Sequence, residues 1–449
     1  MPEQAIAIVI LAAGRGTRMG DDLPKVLRPL AQVPMLHHVL STAQSLNPER
    51  LILVTGFGAE AVTEAARARA PDIITVHQSK QLGTGHAARM ALPALADFEG
   101  RVVVIYGDTP FITTERLEEM VQHSADVVVL GFEAADPGRY GRLILVDGVL
   151  DKIVEAKDIA SEEHDTTLCN SGIKCVSSSY FTALVEAVDN KNAAQEFYLT
   201  DIVGIARAKG ASTGVVIGAQ AEALGIDTPQ ALRDAEVQFQ IQARLRLIEN
   251  GVVLASPETV HLAQDTAIGR DAYVEPYVVF GPGVTVETGA HIRSFSHIEG
   301  AHISRGAVIG PYARLRPGAE VSENAKIGNF VEVKNAEIGA AAKVNHLSYV
   351  GDARIGAGSN VGAGTITCNY DGVGKHRTTI GQGAFIGSNT LLVAPVTIGD
   401  GAYTATGSVI TDDVPTGDLA IGRARQVNKK GLGARLMARL KALKSEKAG

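Results

Sequence analysis

Two groups of residues have types and spacing that could do chemistry. The first is Leu11-Ala12-Ala13-Gly14-Arg15-Gly16-Thr17-Arg18-Met19, with Pro24-Lys25 beyond it. A glycine-rich loop after a first strand lets backbone N–H groups approach phosphate oxygens, and the following helical start favours anions. Arg18 and Lys25 add positive charge for further phosphates. The spacing is neither the dinucleotide fingerprint, since the third glycine, Gly20, falls one place late, nor the P-loop pattern, since no Gly-Lys-Ser/Thr follows. Read without its neighbours, the loop could also be a structural turn. Tyr106-Gly107-Asp108 closes the run VVVIYGD, where a carboxylate at a strand end suits Mg²⁺ with substrate phosphates or else a simple turn. Asp227 in GIDTPQAL could be a second ligand. It reads first as the N-cap of the helix that follows, and could serve as both. The second group lies in RLRPG (314–318), NFVEVK (329–334), VNHLSYVGD (344–352), NVGAGTITCNYDG (360–372) and GSNT (387–390). His346 is the one histidine of the stretch 344–372. A surface histidine is usually just solvated, but acyl transfer needs a base that titrates near neutrality.

The elements that must position these residues divide near residue 250. Residues 5–11, 102–108 and 125–132 are near-continuous apolar runs, and the segments 33–45 and 113–123 between them have helical composition. That alternation predicts a mostly parallel sheet covered by helices. Residues 229–250 carry Leu232, Val237, Ile241, Leu245 and Ile248 at helical spacing, which predicts one long linker helix ended by Gly251. The expected division is therefore 1–228, a linker at 229–250, and 251–449.

Beyond the linker the sequence repeats. Aliphatic or similar residues fall every six positions at Ile268, Val274, Phe280, Val286, Ile292 and Ile298. A five-residue step leads to Ile303, and the six-residue beat resumes through Ile309, Leu315, Val321, Ile327 and Val333. Further five-residue steps reach Ile338 and Ile355, and a last run comprises Ile380, Ile386, Leu392, Ile398, Thr404 and Ile410. A six-residue repeat of this length predicts a parallel β-helix whose coils bury their faces against one another. The beat breaks at TCNYDGVGKHRTT, which predicts an excursion from one face.

Composition sets outer bounds. With 449 residues, 45% hydrophobic and 20% charged, the chain is expected to form two or three folded domains. A net charge of −7 argues against a general nucleic-acid binder. No apolar run is long enough to span a membrane, and the N-terminus does not read as a signal peptide. Cys169, Cys175 and Cys368 show no metal-ligand spacing and fit a reducing cytoplasm. The tail from Arg423 holds nine Lys/Arg, with Leu432, Leu436, Leu440 and Leu443 near helical spacing. It reads as a solvated basic helix rather than a membrane anchor.

LAAGRGTRM with Pro24-Lys25, QLGTGHA (81–87), YGDTPF (106–111), RYGRLI (139–144), IVEAKD (153–158), NSGI (170–173) and FYLTDI (197–202) occur in order. Together with the β-helix motifs they resemble the bacterial bifunctional N-acetylglucosamine-1-phosphate uridylyltransferase / glucosamine-1-phosphate N-acetyltransferase family, over nearly the whole chain. The resemblance implies a Rossmann-like nucleotidyltransferase domain and a left-handed β-helix that trimerises, with acyl sites between subunits. The general preference for right-handed crossovers would not have suggested that hand. It implies that Leu11, Ala12, Ala13, Gly14, Gln78, Gly83 and Thr84 hold the uridine of UTP, and Arg18 and Lys25 its phosphates. Tyr106, Gly107, Gly141, Glu155 and Asn170 would bind the sugar side, and Asp108 and Asp227 would bind Mg²⁺. The family usually has asparagine at the position of Asp227. In the β-helix His346 would be the general base. Arg316, Lys334, Tyr349 and Asn360 would bind glucosamine-1-phosphate. Ala363, Asn369, Tyr370, Ser388, Thr406 and Arg423 would line the acetyl-CoA site, although Thr406 stands where alanine is expected. The implied product is UDP-N-acetylglucosamine, made through N-acetylglucosamine-1-phosphate for peptidoglycan and lipopolysaccharide synthesis. Two other readings make the β-helix a mere oligomerisation scaffold or a regulatory binding module.

Overall fold

The computed structural model describes residues 4–20, 23–159, 166–192 and 194–446. It forms two compact units, one of Met1–Ala243 with Leu262–Gln264, the other of Arg244–His261 with Asp265–Gly449.

The first unit is built on a nine-stranded sheet. Its strands are β1 (Ile6–Ala12), β2 (Arg50–Thr55), β3 (Ile74–His77), β4 (Arg101–Tyr106), β5 (Val127–Glu133), β6 (Arg142–Val146), β7 (Val149–Val154), β8 (Leu168–Ser177) and β9 (Thr213–Gly218). The order is β9-β5-β8-β4-β1-β2-β3, with β6 joining β8 to β7. β8 runs antiparallel to both β4 and β5, and every other pairing on the main path is parallel. Helices cover both faces, so β1 must be apolar on both. Ala7, Val9 and Leu11 enter one core with Ala87, Phe181 and Leu184. Ile8, Ile10 and Ala12 enter the other with Leu36, Val39 and Leu117. This double burial is why β1 reads as an unbroken hydrophobic run. From β1 the chain goes out to β2 and β3 and returns on the other side at β4. The reversal opens a crevice beyond the carboxyl ends of β1 and β4, where ligands bind in open α/β sheets.

The helix expected over 33–45 spans Met35–Ser45, because Val33–Pro34 pairs with Pro29–Leu30 instead. The long helix spans Pro229–Glu249. Val237, Ile241, Leu245 and Ile248 are all more than 40% exposed, whereas Ala235, Phe239 and Leu247 are buried. The assignment of Asp227 as N-cap is corrected: Thr228 caps this helix, its Oγ1 accepting the Ala231 N–H at 3.1 Å.

The second unit is a parallel β-helix of short strands in sheets of ten and fourteen. The residues of the six-residue beat are its inward-facing set, from Ile268 at 8% exposed to Phe280, Ile303 and Ile398 at 0%. Val274 pairs with Ile292, one 18-residue coil on, and the five-residue steps shorten the coil so that Ile298 pairs with Leu315. Thr404 is buried where an aliphatic residue is expected, and its Oγ1 accepts the Gly387 N–H at 3.0 Å. Outside the coils Tyr277, Phe295, Tyr312 and Phe330 stack as an exposed aromatic column, with centroids 5.2, 4.8 and 5.3 Å apart. The predicted excursion is a small hairpin closed by a Tyr370–Lys375 bridge. A final helix, Leu432–Glu446, buries none of its residues and is exposed beyond Leu432. Among the described residues no helix is long and apolar enough to cross a membrane.

Candidate active sites

The crevice of the α/β unit holds two adjoining cavities that share Tyr106 and Asp108. The smaller, about 360 Å³, is lined by Leu11, Ala12, Ala13, Gly14, Lys25, Gln78, Gly83 and Thr84. The larger, about 680 Å³, is lined by Arg18, Glu155, Asp227 and others. The expected uridine residues line the smaller cavity, whereas of the expected sugar residues Tyr106 and Glu155 line the larger one and Gly107, Gly141 and Asn170 line neither. Gly107 donates its N–H to Leu11 O at 3.0 Å, which ties the end of β4 to that of β1. Gly141 accepts the Asn170 N–H at 2.8 Å, which ties the start of β6 to the start of β8. A Cβ on Gly141 would stand 3.5 Å from Glu155 Oε2.

Backbone geometry fixes the smaller cavity. Gly83 has φ +110°, and a Cβ there would meet the Phe197 carbonyl at 2.5 Å, so only glycine fits. Gln78 is buried and donates to Gly83 O at 3.1 Å. Gln81, which carried no role in the sequence reading, donates to Ala13 O at 2.6 Å. Arg139, Tyr140, Lys157 and Tyr198 also went without individual roles, and all four line the larger cavity. Their motifs were recognised, but which side chains turn inward follows only from the fold.

Lys25 bonds both Asp108 and Asp227, the latter at 2.8 Å, and Arg18 reaches Asp227 at 2.8 Å. Burial lowers the Lys25 pKa, but Asp108 and then Asp227 outweigh it and hold it above its ordinary value. Burial likewise pushes Asp227 up, and the Lys25 and Arg18 contacts more than reverse this. Two carboxylates that share one ammonium are close enough to share one hard cation. That donor set fits Mg²⁺, which takes one or two carboxylates and completes its shell with phosphate oxygens and water. No larger cluster of His, Cys, Asp and Glu occurs among the described residues.

In the β-helix His346 ends the strand Lys343–His346, and its Nδ1 lies 2.6 Å from Asn329 Oδ1, one coil back. A carbonyl acceptor at Nδ1 puts the ring proton there and leaves Nε2 free to take a proton. Asn329 was not singled out from the sequence. The same corner continues coil by coil through Gly364 N–H to His346 O at 3.2 Å, Asn389 N–H to Ala363 O at 2.7 Å, and Gly407 N–H to Ser388 O at 2.8 Å. Ala363, Ser388 and Thr406 therefore form a column beyond His346, and Arg423 approaches Gly407. Arg316 is paired with Glu332 at 2.8 Å. Lys334 is held below its ordinary pKa by Lys375 and then Arg316, so three cations converge. Asp352 ties this corner to the hairpin by accepting from Asn335 at 2.6 Å and from Asn369. Within the hairpin Tyr370 donates to Gly372 O at 2.7 Å, and Asp371 is held far down by His376 and the Gly374 and Val373 N–H groups. Asn360 does not join Arg316, Lys334 and Tyr349 within one chain. It pairs with Lys343 and Phe385 in the ten-stranded sheet, whereas Lys334 and Tyr349 belong to the fourteen-stranded one.

Residues 8–167 match the family model of the MobA-like NTP transferase domain, and residues 377–412 match that of the bacterial transferase hexapeptide, six repeats. Fold and site thus define a nucleotidyltransferase joined to a hexapeptide-repeat transferase. Relatives described as bifunctional protein GlmU match along the whole chain. One from Jannaschia sp. is 55% identical over 99% of this chain and 98% of its own. One from Cereibacter sphaeroides is 57% identical over 100% and 99%, and one from Paramagnetospirillum magneticum is 50% identical over 100% of both. The chain belongs to the GlmU family, bifunctional enzymes of UDP-N-acetylglucosamine synthesis with acetyltransferase and uridylyltransferase activities.

Proposed function

We propose that the two activities divide between the two units. The β-helix acetylates glucosamine-1-phosphate, and the α/β unit (assigned to 1–228, with 229–250 as linker) transfers UMP to the product. The single observation that carries this division is the occurrence of two separately built sites: paired cavities meeting at Asp108, and a His346–Asn329 pair on a repeat corner.

In the acetyl step Arg316 and Lys334 hold the phosphate of glucosamine-1-phosphate. His346 Nε2 takes a proton from the sugar amine as its nitrogen attacks the acetyl-CoA thioester carbon. The C–S bond breaks, and CoA leaves as a thiol after receiving a proton. The Ala363–Ser388–Thr406 column holds the pantetheine, with Asn369, Tyr370 and Arg423 completing the CoA site. In the uridylyl step the 1-phosphate oxygen of N-acetylglucosamine-1-phosphate attacks the UTP α-phosphorus in line, and the bond to pyrophosphate breaks. Lys25 and Arg18 neutralise the phosphates while Glu155, Gly141 and Asn170 orient the sugar, so positioning and electrostatics suffice. Asp108 and Asp227 would hold Mg²⁺, which supplies charge neutralisation at the phosphates. A cytoplasmic location is supported by the three free cysteines, Cys169, Cys175 and Cys368. A trimer through the β-helix is supported by Asn360, which a neighbouring copy would have to bring to the Arg316–Lys334 corner.

A pair of variants tests the division. His346→Ala is expected to lower acetyl transfer by about 10²–10⁴-fold and leave uridylyl transfer intact. Lys25→Ala is expected to do the reverse. Loss of both activities in either variant, or of neither, contradicts the assignment.

A further inference from the structure

The α/β sheet buries a charge that the reaction as described does not use. Lys174 lies in β8 between Val104 of β4 and Val129 of β5, and none of it is exposed. A buried ammonium is strongly destabilising unless it is compensated, so an apolar residue would be the stable choice in a central strand. Here Nζ donates to the Gly172 carbonyl at 2.9 Å, and the charges acting on it are Glu155 and Asp201. Gly172 lies in the bulge that shifts the β8–β5 register between Asn170 and Lys174. Its φ is +92°, and a Cβ there would stand 2.7 Å from the Tyr106 ring. Asn170 Oδ1 accepts the Gly172 N–H at 3.0 Å, and Ser171 Oγ accepts the Ile173 N–H at 3.1 Å. Glu155 Oε1 accepts from Thr200 at 2.9 Å. Tyr106, Glu155 and Ser171 all line the larger cavity.

We propose that Lys174 is a positioning residue for the sugar-phosphate substrate of uridylyl transfer. Its ammonium holds the Asn170–Gly172 bulge through the Gly172 carbonyl and attracts the Glu155 carboxylate across the cavity wall without an ion pair, so that both meet the sugar in one arrangement. The proposal rests on the reading that this cavity takes N-acetylglucosamine-1-phosphate. Burial pulls the Lys174 pKa down to about 8 against Glu155 and Asp201. Asp201 is itself pushed up to about 6, by burial and then by Asp189, Glu155 and Asp158. These carboxylates, Tyr106 and Tyr198 are the titratable groups around the cluster among the described residues, and the attraction to Glu155 is lost when Lys174 gives up its proton.

The test is steady-state uridylyl transfer by full-length Lys174→Met, with Glu155→Gln and Asn170→Ala as references. Lys174→Met is expected to raise KM for N-acetylglucosamine-1-phosphate about tenfold, with KM for UTP within about twofold and acetyl transfer unchanged. The unsubstituted enzyme is expected to show a rise in that KM between about pH 7 and 9, and Lys174→Met to lack it. The pH profile of the unsubstituted enzyme alone decides the matter if the variant does not fold. An unchanged sugar-phosphate KM in Lys174→Met while both references raise it overturns the positioning role, as do equal losses for the two substrates. A KM unmoved in all three variants overturns the cavity assignment and the inference with it.

Discussion

Replacing Asn329 with alanine tests how the base of the acetyl step is held. Among the described residues the 2.6 Å contact between Asn329 Oδ1 and His346 Nδ1 is the one side-chain hydrogen bond on that ring. Asn329 is half-buried and His346 exposed, so the bond is worth the ordinary net value of about 1 kcal/mol and not that of a desolvated pair. Without it the ring can rotate and can carry its proton on Nε2, which is the wrong tautomer for a base. A loss of about 1–1.5 kcal/mol corresponds to roughly 5- to 15-fold in kcat/KM. His346→Ala removes the base itself, so its loss should be about 10²–10⁴-fold. The assay is CoA thiol release with glucosamine-1-phosphate, with pyrophosphate release by the other unit as internal control. The reasoning is refuted if Asn329→Ala acetylates at the unsubstituted rate, or if it is as inactive as His346→Ala.

Three more outcomes follow from the geometry. Gly172→Ala forces a Cβ against the Tyr106 ring at positive φ, so it should destabilise the α/β unit by about 2–3 kcal/mol, read as an earlier thermal transition. Asp227→Asn keeps an oxygen ligand but removes a charge that Lys25 and Arg18 both use. Uridylyl transfer should survive with a several-fold higher Mg²⁺ requirement, whereas Asp227→Ala should lose about 10²-fold or more, both read from Mg²⁺ titrations of the rate. Lys174 has a folded pKa of about 8 against an ordinary 10.5. Between those values the unfolded chain keeps a proton that the folded chain has released, so stability rises with pH across that window. The gain is on the order of 3 kcal/mol, and Lys174→Met should flatten it in denaturant titrations of the α/β unit.

The repeat was legible in the sequence because each coil must place an inward residue at nearly constant spacing, and those residues are the ones found buried. β1 and β4 were legible because strands covered on both faces become unbroken apolar runs. The helix at 229–249 was readable as a helix but not by its buried face, since Val237, Ile241, Leu245 and Ile248 face outward. The cap was misplaced by one residue because both Asp227 and Thr228 are good capping types. Only the competing pull of Lys25 and Arg18 on Asp227 decides between them. Asn329 could have been found by stepping back one 17-residue coil from His346, a signal that needs the coil length as well as the motif. Lys174 sits one place beyond a recognised motif, and its meaning depends on β8 being a central strand with a bulge.

The most direct test of the account is CoA thiol release from acetyl-CoA by the purified chain, with and without glucosamine-1-phosphate. Release that requires glucosamine-1-phosphate and collapses in His346→Ala is the predicted result. Absence of release, with UMP transfer from UTP intact, would contradict it and reduce the β-helix to a scaffold.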